Sequence, residues 1–237
     1  MAFRLLLGPE RGCAGQTYEG PAAGLAQASR VTLKLMRTAY IGMGGNLASW
    51  AGTPEATLAA AALRLESLGR VVCRSSLYST EPVGFAGQPR FLNAVVALET
   101  DLEARPLLEG LLRIELEFGR DRTAGFVNGP RTLDLDILLF GHLRISEPGL
   151  EIPHPRLSER AFVLVPLSEI APRALDVGSG RTVSQLLHSL FPNHESATDA
   201  VVQVQCDTWR VGADRGVVDP GESSRAIRCD DDGDHRG

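Results

Sequence analysis

Lysine is almost missing from this chain. Lys34 stands alone, and every other basic residue is arginine. A Walker-type Gly-Lys-Ser/Thr loop is therefore excluded, so phosphate must be met by arginine, histidine, backbone N–H groups or metal. Cysteine is scarce. Cys13, Cys73, Cys206 and Cys229 show no metal-ligand spacing, and only Cys73 falls in a patterned segment. That argues against a disulfide framework and for a reducing cytoplasm. No apolar run approaches the ~20 residues of a membrane span. The opening MAFRLLLGPERG has too short an apolar stretch for a signal peptide, and Glu10 and Glu19 weigh against a transit peptide. A basic excess is missing too, and the net charge of −5 speaks against a general nucleic-acid binder.

What is present suits a globular protein with a sizeable core: 43% of the 237 residues are hydrophobic and 22% charged. Residues 1–36 are Gly/Ala-rich and weakly periodic, and Met36 lies just before strong patterning begins, so they read as a flexible extension. Residues 197–237 carry nine Asp/Glu against five Arg and end in DDDGDHRG. Such like charge predicts a disordered acidic tail over 196–237. The folded unit expected between them is 37–195.

Within it, TAYIGMGGN reads as a strand entering a glycine turn. Pro54–Leu68 reads as a helix, with Thr53 as cap and Gly69 as stop. Strands are expected at Val71–Ser79 and Phe91–Thr100, a second helix at Ala104–Phe118 closed by Gly119, a strand over DLDILLF, and a hairpin return at His142–Ile145. EPVGFAGQP and GRDRTAGFVNGP are long Gly-rich loops with the composition of closing lids. The order β-α-β-β-α-β predicts an α+β fold, a ferredoxin-like βαββαβ two-layer sandwich with C-terminal additions and one sheet surface facing solvent.

The strand DLDILLF carries two carboxylates. Alternation sends Leu133, Leu135, Ile137 and Leu139 to one face and Asp134 with Asp136 to the other. Like charges about 6.6 Å apart along a strand repel unless a cation sits between them. Magnesium takes one or two carboxylates and completes its shell with water and substrate phosphates. Arg120, Arg122 and Arg131 precede the pair, and His154 and Arg160 follow. Arginine offers a planar fork to phosphate oxygens. Magnesium–polyphosphate binding is thus one reading; an exposed sheet face with solvated arginines is the other.

Four segments together resemble one family: YIGMGGNL; STEPVG with FLNAVVALET; RIELEFGR; and GPRTLDLDILLFG followed by IPHPRLSERAFVLVPLSEIAP. They resemble the hydroxymethyldihydropterin pyrophosphokinases of folate biosynthesis, from about Thr38 to Pro172. The resemblance implies transfer of pyrophosphate from MgATP to the hydroxymethyl group of a reduced pterin, with release of AMP. It implies that Asp134 and Asp136 hold magnesium, two ions in all, with Asp134 near the pterin hydroxyl. Arg120 and Arg131 would join them in catalysis. Glu115, Arg122, Arg131, Ile137, His154 and Arg160 would serve ATP. On the pterin side it implies Gly44, Thr80, Pro82, Val83, Phe91, Asn93 and Phe162, with the two phenylalanines flanking the ring. From the residues alone, Phe91 and Phe162 read equally as core, and Asn93 as an amide satisfying backbone. The partners expected are ATP and the reduced hydroxymethylpterin, with no nucleic acid or membrane; the protein is expected to be a cytoplasmic monomer. This chain departs from the family at Gly45, where serine is usual, at Glu81, where proline is common, and at Val127 and Asn128, usually basic and aromatic. Its second loop is also one residue longer.

Three other readings compete. A nucleotidyltransferase of the polymerase-β type also pairs a glycine turn with a DxD strand, but places them about a dozen residues apart, whereas Gly44 and Asp134 are far apart in this chain. A ferredoxin-like module could bind RNA or a regulatory ligand without catalysis. A decayed enzyme could keep the fold and bind ATP without turnover. Removing residues 1–35 is expected to leave pterin-dependent nucleotide turnover unchanged; a large loss would make the extension part of the enzyme.

Overall fold

The computed structural model describes residues 35–82, 87–120, 129–191 and 201–210. The N-terminal extension lies outside them. The described part is mixed α and β around an antiparallel sheet of six strands. Its strands are β1 (Arg37–Gly45), β2 (Arg70–Arg74), β3 (Leu77–Thr80), β4 (Phe91–Thr100), β5 (Asp134–Phe140) and β10 (Val201–Val204). The lateral order is β10-β3-β4-β1-β5, and β2 lies beside the far half of β4. Between them run α1 (Pro54–Arg64), which passes into a 3-10 turn, and α2 (Ala104–Glu117). Two small hairpins follow: β6 (Ile145–Glu147) with β7 (Leu150–Ile152), and β8 (Leu175–Asp176) with β9 (Arg181–Thr182). The remaining helices are α3 (Ala161–Ile170), α4 (Val183–Leu190) and a short one at Asp207–Arg210.

Alternation along the strands builds two cores. Ala39, Ile41 and Met43 of β1, Leu92, Ala94, Val96 and Leu98 of β4, and Leu135 and Ile137 of β5 face α1 and α2, which supply Leu58, Ala61, Leu107, Leu111 and Ile114. Each leucine fully withdrawn from water contributes about 1.5–3 kcal/mol. The opposite face is not open along its length, as a two-layer reading requires. There α3 and α4 set Leu164, Leu167, Val183 and Leu186 on Tyr40, Val72, Val95, Ala97 and Leu138. The C-terminal additions form a third layer over part of the sheet. Helix α3 reads AFVLVPLSEI, apolar on nearly every side, as a helix enclosed by protein must be.

Several expected boundaries hold. The strands at Phe91–Thr100 and DLDILLF fall as read, and Thr53 caps α1 by accepting from the Ala56 N–H. Others do not. The strand read over Val71–Ser79 is broken at Ser75 and Ser76. The Ser75 hydroxyl accepts the Val95 N–H at 2.9 Å, while its carbonyl accepts from Trp209 Nε1 at 2.6 Å. Leu139 joins the second core, not the first, because the β1–β5 register shifts between Tyr40 and Ile41 and an extra residue breaks the alternation. The hairpin return begins at Ile145, not His142, and turns at Pro148-Gly149, where Gly149 has φ +72°.

The largest correction concerns the tail. Val201–Val204 pairs antiparallel with β3, from Val201 beside Thr80 to Val204 beside Leu77. Trp209 follows, 3% exposed, in the first core. The folded part therefore reaches past 195. Trp209→Ala is expected to cost about 3–5 kcal/mol, the range for truncating a buried aromatic. Urea unfolding of the full chain checks it, and a loss below about 1 kcal/mol would mean that the indole is not a core element.

Candidate functional site

The uncovered part of the second sheet face has a floor almost without side chains. Gly42 and Gly44 of β1 lie there, paired across to Asp136 and Asp134 of β5; Gly44 also pairs with Asn93 of β4. Past the end of β1 the backbone runs against the approach to β5. A Cβ on Gly45 would lie 2.3 Å from the Thr132 carbonyl oxygen, so a serine here requires the 131–132 segment to move. Over this floor opens a cleft of about 780 Å³, its mouth included. The start of α3 forms one wall with Arg160, Phe162 and Val163.

Two carboxylates share the floor. Asp134 pairs with Arg120 Nη1 and, at 3.0 Å, with Arg131 Nη2. Asp136 lies 3.6 Å from Arg160 Nη1 and 3.9 Å from His154 Nε2. Burial, and after it the neighbouring Asp134 charge, push the Asp136 carboxyl above the ordinary carboxylate range; Arg160 opposes them most. The arginines also reach the phenylalanines. The Arg131 guanidinium lies 4.8 Å over the Phe91 ring and that of Arg160 lies 5.6 Å over Phe162. Such contacts contribute about 0.5–2 kcal/mol each.

Asn93 is 7% exposed and gives one amide hydrogen to Thr80 Oγ1 at 2.9 Å. Both line the cleft, as do Gly44, Phe91, Phe162, Arg131, Asp134, Asp136 and Arg160. Arg120 stands beside Asp134, and His154 beside Asp136. Three expected residues are placed elsewhere. Ile137 belongs to the first core, on the face turned away from the cleft, because it alternates with Asp136. Glu115 is 1% exposed beneath the floor, where its carboxylate accepts from Leu135 N at 2.8 Å and Arg120 Nη1 at 3.2 Å. It positions Arg120 and the start of β5. Pro82 is half-buried just past β3 and does not line the cleft. Val83, Arg122, Val127 and Asn128 lie outside the described residues.

The sequence reading passed over Asn46 and Arg156 and met Glu81 only as a departure from the family. Asn46 is 3% exposed and ties three segments together: its Oδ1 accepts from Arg131 N at 2.8 Å, its N–H donates to Arg131 O at 2.9 Å, and its Nδ2 donates to Pro89 O at 3.0 Å. It closes the motif YIGMGGNL, which was its only signal. Glu81 forms an ion pair with Arg90 across the first loop. Arg156 lines the cleft and gives its N–H to His154 Nδ1 at 3.1 Å. Arg160 Nη1 lies 3.4 Å from Nε2, so hydrogen-bond donors face both nitrogens of the ring.

Burial, then the nearby Arg160 and Arg156, lower the His154 pKa to about 4. Between pH 6.5 and pH 4 the unfolded chain takes up a proton that the folded protein refuses. His154 therefore makes stability fall as pH drops through that window, by on the order of 3 kcal/mol. The raised Asp136 acts in the opposite sense, so comparison with a variant isolates the histidine. His154→Gln is expected to lose the slope, and the His154 ring proton to titrate near pH 4 by NMR; titration near pH 6.5 would overturn this.

The sequence and the fold resemble known proteins. The family model for 7,8-dihydro-6-hydroxymethylpterin-pyrophosphokinase matches residues 40–172. The 2-amino-4-hydroxy-6-hydroxymethyldihydropteridine pyrophosphokinase of Pseudomonas aeruginosa is 44% identical over 155 residues, 65% of this chain and 91% of that one. The enzyme of the same name from Methylorubrum extorquens is 44% identical over 160 residues, 67% of this chain and 96% of that one. A crystal structure of Plasmodium falciparum HPPK-DHPS aligns with a TM-score of 0.58 at 14% identity, covering 74% of this chain and 50% of that one, a likeness of fold. The match spans the glycine floor, both aspartates and the wall of α3, and the chain belongs to the 7,8-dihydro-6-hydroxymethylpterin-pyrophosphokinase family.

Proposed function

We propose that this cleft is where the chain transfers pyrophosphate from ATP to 6-hydroxymethyl-7,8-dihydropterin in folate biosynthesis. The hydroxymethyl oxygen loses its proton and bonds to the β-phosphorus. The bond from that phosphorus to the oxygen bridging the α-phosphate breaks, and AMP leaves with the bridging oxygen. The observation that carries the assignment is the pair Asp134 and Asp136 on one floor, with arginines on three sides and the Asn93 amide alongside. Among the described residues no cluster of three or more His, Cys, Asp or Glu forms a closed cage. Two carboxylates beside open space suit magnesium, which keeps waters and completes its shell with phosphate. Asp134 and Asp136 would hold two ions. Bound magnesium neutralises the polyphosphate and draws electron density from the β-phosphoryl group.

The residues do the rest by placement. Arg120, Arg131 and Arg160 face the transferring phosphates with fixed forks. Neutral His154 lends the cleft a polar ring edge without adding charge. The pterin lies flat against Phe91 and Phe162 with its polar edge on Asn93 and Thr80. Phosphoryl-type transfer depends chiefly on alignment and charge neutralisation, which this arrangement provides. The order β3-β4-β1-β5 with α1 and α2 on one face supports a ferredoxin-like reading of the core. The enzyme is proposed to act as a cytoplasmic monomer.

Protein mixed with ATP, Mg²⁺ and the reduced hydroxymethylpterin is expected to yield AMP only when the pterin is present. ADP would mean an ordinary kinase, and free pyrophosphate a nucleotidyltransferase. Asp134→Ala and Asp136→Ala are each expected to lower turnover by about 10²-fold or more while keeping the native circular dichroism spectrum. Near-normal turnover in either would sink the metal assignment.

A further inference from the structure

A second cavity, about 510 Å³ with its mouth included, opens where β2 gives way to β3, between α3 and the Val201–Arg210 segment. Among the described residues none lines both cavities. Arg74 enters this one and is 7% exposed. Its guanidinium lies 5.6 Å over the Trp209 ring, and its Nε–H has no hydrogen-bond partner. Glu66 is the carboxylate that acts on it, from beyond ion-pair distance.

The other polar groups of the cavity are already engaged. Glu169 accepts from Ser76 N at 2.9 Å, Ser76 Oγ at 2.8 Å and Tyr78 OH at 3.0 Å. Gln203 Nε2 donates to Ser76 Oγ at 2.7 Å, and Trp209 Nε1 to Ser75 O at 2.6 Å. What remains is a permanent cation on the wall of a cavity large enough for a small molecule, its Nε–H unpartnered and covered by protein. A buried charge without a partner is costly, and the ring face offsets only part of that cost. A planar fork matches a carboxylate. Glu169 in the same cavity repels a doubly charged guest, while Leu77, Val204 and Trp209 offer apolar wall.

We infer that this cavity is a second ligand site, taking a small monocarboxylate with an apolar body, its carboxylate on Arg74 and its body against Trp209. The site is separate from the pyrophosphoryl-transfer cleft, and its test does not depend on that assignment.

The full-length protein is titrated with benzoate, with benzamide as the uncharged counterpart and inorganic phosphate as the more highly charged anion. The readout is the Trp209 indole N–H resonance, assigned with Trp50→Phe. Benzoate is expected to shift it saturably and to raise Tm, with at least tenfold weaker responses to benzamide and phosphate. Arg74→Gln is expected to abolish the saturable shift while AMP formation stays at the wild-type rate. Should that variant misfold, Arg74→Lys keeps the charge without the fork and is expected to bind at least fivefold more weakly. Equal responses to benzoate and benzamide, or undiminished binding in both variants, would overturn the site. A full-length variant with Asp214, Asp219 and Glu222 changed to their amides is expected to bind benzoate as the wild type does; much tighter binding would make the chain's own carboxylates the occupant and overturn the assignment to a free ligand.

Discussion

Two like charges on one face of a strand govern how this protein is built. Asp134 and Asp136 cannot be stacked on a neighbouring layer, since each would lose water without relief. They cannot be left alone either, because the Asp134 charge raises the cost of ionising Asp136. The chain responds with arginine. Arg120 and Arg131 attend Asp134, Arg160 attends Asp136, and buried Glu115 anchors Arg120 from below. Each guanidinium is a counter-ion to a floor carboxylate, and under the proposed function it also donates hydrogen bonds to phosphate. Lysine, a point charge on a flexible stem, could not hold a carboxylate and lie flat over a ring at once.

The floor must also be thin. Gly42 and Gly44 keep side chains off the floor of the cleft, and Gly45 lets the backbone pass close to Thr132. The layers then divide the second sheet face. Where β1, β4 and β5 offer Tyr40, Val95 and Leu138, α3 and α4 settle; where they offer glycine, asparagine and aspartate, nothing settles and a cleft remains. The sheet's own residue pattern decides which part of its face is core and which is site.

That pattern is what makes much of the molecule readable. DLDILLF alternates until Ile137, so the period of the strand alone puts both aspartates on one face. Thr53 with Pro54, and Gly119 after α2, mark helix ends by backbone chemistry alone. What stayed hidden had a definite cause. Leu138, Leu139 and Phe140 are all apolar, so a bulge among them leaves no trace in the alternation. Ser75 and Ser76 resemble strand residues; the break depends on Trp209, 134 positions away. Val201–Val204 is a good strand, but it is followed by acidic residues that dominate the composition. Nine of the expected site residues line the cleft because they sit in short motifs, each carried by one strand end or the start of α3. Glu115 and Asn46 act through other residues, and such roles have no local signature.

The strand Val201–Val204 has a consequence in time. It covers the open edge of β3, and Trp209 fills the core behind it, yet both are synthesised after every other described element. Until they have left the ribosome, β3 presents unpaired backbone donors and acceptors beside the strand end that carries Thr80. An unpaired edge is a template for pairing with another chain. Chains stopped short of residue 201 are thus exposed to edge-to-edge association, while the complete chain closes the edge with its own residues.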